Sequence, residues 1–261
     1  MMGRYIAFLY GVVCYLVFFL AFLYLIGFLG NFLVPKSIDT GESAALATAL
    51  LINVGLIALF GLQHSIMARP GFKAWWTKIV PTSVERSTYV LLTSLILILL
   101  YWQWRPMTQV IWQADAAWSQ AVLWGVFGAG FLLVLLSTFV IDHFDLFGLR
   151  QVFLNLRRKP YTHSPFKVTF FYKFVRHPLY VGWFLAFWGT PTMTLGHLIF
   201  AVGMSGYILI AIRYEERDLE TFLGQNYTKY KERVPMLIPR PGKVHATVKS
   251  GTAGAVPSGM P

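Results

Sequence analysis

The sequence predicts an all-α fold, a polytopic membrane helical bundle of four spanning helices followed by a C-terminal helical hairpin. Three observations predict it. Hydrophobic residues make up 56% of the 261 residues and charged residues only 13%, about half the ~25% charged share of an ordinary globular domain. Uncharged apolar runs of spanning length recur along the chain. The connections between them alternate between basic and non-basic, the asymmetry that positively charged cytoplasmic loops produce.

The first run, residues 5–34, carries no charge and exceeds the ~20 residues that a spanning helix needs. It is too long for the apolar core of a secretion signal and no small-residue cleavage site follows, so it is read as retained. Further spans are predicted over residues 44–67, 88–104 and 118–141. Residues 179–212 are apolar for 34 positions, too many for one crossing, and are interrupted by Gly189-Thr190-Pro191-Thr192 and by Gly196. Gly and Pro break helices, which predicts a hairpin that dips into the bilayer and returns. A single long tilted helix is the alternative, and it would send the C-terminus to the other side.

Charge decides between the two. The connection at residues 35–43 holds Lys36, Asp39 and Glu42, and the one at 105–117 holds Arg105 and Asp115. Neither is basic, so both are expected to face outward. Arg69, Lys73, Lys78 and Arg86 fall in the second connection, and Arg150, Arg157, Arg158, Lys159, Lys167, Lys173 and Arg176 in the fourth. These belong on the cytoplasmic side. The region after Ile212 carries Arg213, Arg217, Lys229, Lys231, Arg233, Arg240, Lys243 and Lys249, so it also belongs inside, which requires the hairpin. Residues 1–241 then form one integral-membrane domain, and residues 242–261, small, polar and Pro/Gly-punctuated, form a disordered tail. The expected location is a bacterial inner membrane, crossed several times, with the polar machinery on the cytoplasmic face.

Composition also excludes function classes. Cys14 is the single cysteine and sits in an apolar run, so neither a disulfide framework nor a cysteine zinc site is available. The net charge of +11 would suit a nucleic-acid partner, but basic inner loops account for it in a membrane protein. No nucleic acid and no obligate protein partner are expected.

Polar residues in or beside a bilayer are costly and usually functional, and three clusters stand out. Arg176-His177-Pro178-Leu179-Tyr180-Val181-Gly182 places Pro178 at the first position of a helix and biases His177 towards an extended backbone. A helix start favours anionic groups there; the bland reading is a capped helix at the membrane surface. Arg213-Tyr214-Glu215-Glu216-Arg217-Asp218-Leu219-Glu220 sets four acids within six residues where basic flanks are the rule. Such carboxylates suit an amine or a ribose diol, or else a solvated, self-paired helix face. In Asp142-His143-Phe144-Asp145 two carboxylates flank a histidine, an arrangement that orients an imidazole and raises its basicity. Nothing in these spacings demands a metal.

The ordered series RHPxYxG from Arg176, a Gly/Pro-broken apolar hairpin, the pair Glu215-Glu216, Gly224-x-x-Tyr227-x-x-Tyr230 and Val234-Pro235 to Ile238-Pro239 resembles the C-terminal half of integral-membrane methyltransferases. That superfamily includes the isoprenylcysteine carboxyl and phospholipid N-methyltransferases. The resemblance implies a cytoplasm-facing cofactor-binding region, about residues 142–241, that holds S-adenosylmethionine. His177 and Tyr180 would lie near its methionine part, Glu216 near its ribose or amine, and Glu215, Gly182 and Arg176 along the pocket wall. Whether Arg213 or Arg150 meets the methionine carboxylate stays open. Gly128-Ala129-Gly130 has the form of a Gly-x-Gly seen in phospholipid methyltransferases, though small residues in a span more often serve helix packing.

In the N-terminal half, Gln63-His64-Ser65-Ile66-Met67-Ala68-Arg69, Trp75-Trp76, Pro81, Glu85-Arg86-Ser87 and the run from Ile141 to Gln151 resemble the bacterial methanethiol S-methyltransferases and the neighbouring NnrU-type proteins. This implies conversion of a small thiol, methanethiol, to dimethyl sulfide. Alternatives are methylation of a lipid-linked substrate or a non-enzymatic accessory role. Alkyl thiols are mostly protonated at neutral pH, so a base is expected. His143, oriented by Asp142 or Asp145, is the first candidate and His64, with Gln63, the second. Phe144, Phe147, Trp183 and Tyr180 are expected to form aromatic walls for a sulfonium.

Overall fold

The computed structural model describes residues 2–162 and 168–240. The tail expected at 242–261, and the basic residues Lys167, Lys243 and Lys249, lie outside the described residues.

The chain runs α1 (Met2–Gly30), α2 (Leu46–Ala68), α3 (Pro70–Trp76), α4 (Thr82–Gln103), β1 (Val110–Gln113), α5 (Ala117–Ile141), α6 (His143–Leu146), α7 (Leu149–Leu156), α8 (Pro178–Trp188), β2 (Thr192–Thr194), α9 (Leu195–Leu223) and α10 (Gln225–Arg233), with a 3-10 turn at Phe170–Lys173 before α8. Five helices, α1, α2, α4, α5 and α9, are long and apolar enough to cross a membrane. The protein is a multi-pass membrane bundle in which backbone polar groups are satisfied inside helices. Leu20, Leu51, Leu62 and Val122 point away from the bundle, while Phe28, Leu100, Trp104, Phe187 and Phe200 fill its centre.

The four predicted spans correspond to α1, α2, α4 and α5, and the hairpin to α8 and α9. The limbs of the hairpin are unequal. α8 has 11 residues, about 16 Å at 1.5 Å per residue, and ends at Gly189, while α9 has 29. The hairpin does not turn back within the bundle. Its turn is bonded to connections expected to face outward: β2 pairs antiparallel with β1, with Val110 opposite Thr194. The Leu195 N–H donates to Gln109 O at 2.8 Å, and the Thr194 hydroxyl donates to Asp39 at 2.6 Å. Gly196, predicted as part of the break, lies in the first turn of α9 and donates its N–H to Met107 O at 2.9 Å. A short extended stretch plus α8 thus spans what one long helix spans elsewhere.

Two helices overrun their hydropathy limits. α4 begins at Thr82 behind Pro81 and carries Glu85, Arg86 and Ser87 as buried residues in its first turns. α9 continues past Ile212 as far as Leu223, so the acidic cluster is helical.

α5 and α8 cross at glycine. A Cβ on Gly182 would sit 2.8 Å from Gly130 O and from the Val134 nitrogen, and one on Gly130 would sit 2.5 Å from the Ala186 nitrogen. Gly182, expected along a pocket wall, is therefore a packing contact between backbones, which have no room to give. Gly128 has nothing within 4 Å of its would-be Cβ and faces outward. Gly182→Ala is expected to cost about 1–3 kcal/mol through overpacking. Gly128→Ala should be neutral or gain up to ~1 kcal/mol of helix propensity. Thermal unfolding of the two variants checks the contrast.

Candidate active site

Pro178 opens α8 with His177 as its N-cap at φ −126°, as the Arg-His-Pro order predicts. The anionic group at this helix start comes from the chain itself. His177 Nε2 lies 3.0 Å from Glu216 Oε1, and the Arg176 Nε–H donates to the same oxygen at 2.7 Å. Lys231 Nζ sits 3.2 Å from Glu216 Oε2 and 2.9 Å from Glu220; those two carboxylates, Glu220 foremost, hold its ammonium pKa above the ordinary lysine value. A second Arg176 nitrogen donates to Lys231 O at 3.1 Å and Val234 O at 2.6 Å, satisfying carbonyls that the end of α10 leaves open. Backbone bonds from Arg176 to Pro235 O and from His177 to Met236 O complete the clamp, which explains why the Val-Pro motif follows the tyrosines. Arg176, His177 and Glu216 are brought together as expected, at a place where each is already occupied.

Beside the clamp, Tyr180 donates its hydroxyl to Glu215 Oε2 at 2.9 Å, and Glu215 Oε1 is 3.7 Å from His177 Nδ1. Tyr180 and Glu215 border a cavity of about 240 Å³ that runs up the middle of the bundle. Its polar end is lined by His64, Arg69, Arg86, Thr138, His143 and Glu215, and its depth by rings that include Phe22, Trp183, Phe187 and Phe200. Trp183 meets Phe22 and Phe131 edge-on and stacks on Phe187. Of the expected walls, Phe147, Trp183 and Tyr180 line the cavity; Phe144 is exposed.

The two histidines are held differently. The Thr93 hydroxyl donates to Gln63 Oε1 at 3.2 Å, so towards His64 Nδ1, 3.5 Å away, it can only accept. That puts the imidazole proton on Nδ1 and leaves the Nε2 lone pair of this cavity-lining ring without a partner among the described residues. At His143 both nitrogens are engaged. Thr138 donates to Leu135 O at 2.6 Å, so it accepts from His143 Nδ1 at 2.8 Å, and Tyr15 donates to Nε2 at 2.8 Å. The ring also stacks on Phe139 at 4.2 Å.

The expectation that Asp142 or Asp145 orients His143 is corrected. Asp142 caps α6 by accepting from the Asp145 N–H at 3.2 Å. Asp145 accepts from Arg150 at 3.1 Å, Tyr161 at 3.0 Å and Gln151 at 3.3 Å. Carboxylates one helical turn apart at a helix start are drawn to backbone N–H groups and neighbouring cations, which compete with the imidazole. Neither open candidate for a carboxylate-binding cation suits that role either: Arg150 is paired with Asp145, and Arg213 is exposed. Tyr15, Thr93, Thr138, Arg86 and Lys231 escaped sequence reasoning as individual site residues. Only Arg86 left a signal, as part of the Glu85-Arg86-Ser87 motif, although the sequence placed it in the connection ahead of the span at 88–104.

Burial holds the His143 imidazole below its ordinary value of 6.5, opposed in part by the Asp142 carboxylate. The folded protein thus favours the neutral ring, and below pH ~6.5 the unfolded chain binds the proton more readily. This contribution to stability is present above that pH and is lost as pH falls, until the folded-state ring itself protonates. The wild-type unfolding midpoint should therefore drop further than that of His143→Gln between about pH 7.5 and 5.

Over 242 residues the chain is 53% identical to the methanethiol S-methyltransferase of Crocosphaera subtropica, covering 93% of this chain and 95% of that protein. It is 52% identical over 240 residues to the methanethiol S-methyltransferase of Mycobacterium tuberculosis, covering 92% and 98%. It also matches Nurim of Sus scrofa at 29% identity over 193 residues, 70% of this chain and 73% of that one. No family model matches the chain, and no solved structure does. With about half of the positions identical over more than nine-tenths of the chain, it belongs to the methanethiol S-methyltransferase family.

Proposed function

We propose that the protein methylates methanethiol to dimethyl sulfide with S-adenosylmethionine as donor, in the central cavity where its polar end meets the aromatic depth. The observation that carries the reading is the meeting, in one cavity, of a carboxylate, a cavity-facing imidazole and aromatic walls. The residues present fit this donor. Glu215, fixed by Tyr180, is an acceptor for an ammonium, and Trp183 and Phe22 offer ring faces to a sulfonium, worth about 0.5–2 kcal/mol each. The Arg176–His177–Glu216–Lys231 clamp acts behind them as a set of positioning residues that fixes α8 against α9.

When bound, S-adenosylmethionine supplies an electrophilic methyl group on a sulfonium. The chain's own task is to present a thiolate and keep water away. His64 Nε2 takes the thiol proton, and the chain Gln63–Thr93–His64 holds the imidazole in the accepting tautomer. His143, with both nitrogens bound, yields its place as first candidate to His64. Phe187 and Phe200 shape a small dry end that suits a one-carbon thiol, and holding sulfur and methyl in line can supply roughly 7–11 kcal/mol of the barrier. The excess of basic residues at the end carrying Arg69, Arg150 and Arg176 supports a cytoplasmic-facing site, in a bacterial inner membrane on this reading.

The test is transfer of labelled methyl by detergent-purified protein. Labelled dimethyl sulfide should appear in the headspace in equal amount to S-adenosylhomocysteine in solution. A charged, water-soluble thiol should be a far poorer substrate, because the acceptor end of the cavity is apolar. Absence of dimethyl sulfide, or equal turnover of the charged thiol, contradicts the reading.

A further inference from the structure

We infer that Arg86 holds the carboxylate of the methyl donor's amino-acid arm, an inference that rests on the donor proposed above. Arg86 is 6% exposed and lines the polar end of the cavity. Its Nε–H donates to Leu146 O at 2.7 Å, and its guanidinium lies over the Tyr89 ring at 5.0 Å. These contacts fix the plane of the group but supply no anion. Among the described residues, neither terminal nitrogen has an acceptor and no carboxylate pairs with it.

The neighbouring cations are taken. Arg69, the other arginine in the cavity, donates to Asp218 at 2.8 Å, Arg150 to Asp145 and Arg176 to Glu216. Glu85, next to Arg86 in sequence, is buried but is not among the cavity residues. A buried guanidinium without a counter-anion is strongly unfavourable, and its two terminal nitrogens match a carboxylate in bidentate geometry. Glu215 in the same cavity supplies the opposite charge. A cavity end that offers one carboxylate and one free guanidinium is complementary to an α-amino acid zwitterion, whose ammonium and carboxylate need those two groups.

The experiment compares two ligands by calorimetry on detergent-purified protein. S-adenosylhomocysteine carries the amino-acid arm; 5′-methylthioadenosine keeps the nucleoside and lacks it. Arg86→Met should bind S-adenosylhomocysteine about 10- to 100-fold more weakly, the loss of a charged hydrogen-bond pair, with unchanged affinity for methylthioadenosine. The unchanged ligand also reports an intact fold. Should Arg86→Met fail to fold, Arg86→Lys decides, since it keeps the charge without the fork and should show a smaller loss confined to S-adenosylhomocysteine. Wild-type affinity for S-adenosylhomocysteine in the variant, or equal loss of both ligands by a folded variant, overturns the inference while leaving the donor reading standing. Normal S-adenosylhomocysteine affinity with a raised KM for methanethiol would assign the guanidinium to the thiolate instead. A wild-type protein that binds neither ligand overturns the donor reading itself, and this inference with it.

Discussion

His64→Gln is expected to lower methanethiol turnover by about 10²- to 10⁴-fold, the range that a general base contributes, with S-adenosylhomocysteine affinity close to wild type. Glutamine keeps a polar group of similar reach but cannot take a proton. The contrast with His143→Gln carries the argument. His143 spends both ring nitrogens on Thr138 and Tyr15, so its loss should cost stability and leave most of the turnover. His64 has Thr93 on one side only. Raising the assay pH towards the thiol pKa should partly rescue His64→Gln, because more of the substrate is then already thiolate. Equal turnover in the wild type and His64→Gln would remove His64 as proton acceptor.

The second large effect is at Glu216. Glu216→Ala deletes the carboxylate that Arg176 and His177 share at 2.7 and 3.0 Å and leaves a largely buried guanidinium uncompensated. Breaking such a pair costs about 3–5 kcal/mol, an unfolding midpoint lower by on the order of 10 °C for a chain of this size. Donor affinity should fall as well, because α8 carries Tyr180 and α9 carries Glu215, and the clamp sets their spacing. Glu216→Gln keeps a hydrogen-bond acceptor and should lose less of both. Differential scanning fluorimetry with and without S-adenosylhomocysteine checks the two effects. An unchanged midpoint in Glu216→Ala would show that the clamp holds nothing in place.

Much of this architecture was legible because membrane physics is strict. Uncharged runs marked α1, α2 and α5, and Gly189-Thr190-Pro191-Thr192 marked the hairpin turn. That the motifs of His177 and Glu216 border one region was legible from their order, but their direct bond across 39 residues was not. What escaped was set by tertiary contact. The early start of α4 behind Pro81 is hidden from a hydropathy window, since Glu85 and Arg86 make its first turns look like a loop. Gly128 and Gly130 look alike in sequence and differ only in what packs against them, nothing within 4 Å at Gly128 and the α8 backbone at Gly130. Asp145 looked like a partner for His143 because it is two residues away, yet Arg150 and Tyr161 reach it first. The strands β1 and β2 form from short segments with no period long enough to announce them.

The proposed function requires the donor to bind inside the bundle, between Tyr180 and Glu215 on one side and the α2–α4 face on the other. A structure determined with S-adenosylhomocysteine bound tests it most directly. The ligand's ammonium should lie against Glu215 and its sulfur should face the aromatic depth of the cavity. Density for the ligand on the outer surface of α10, or on the far side of the Arg176–Glu216 pair from the cavity, would contradict it.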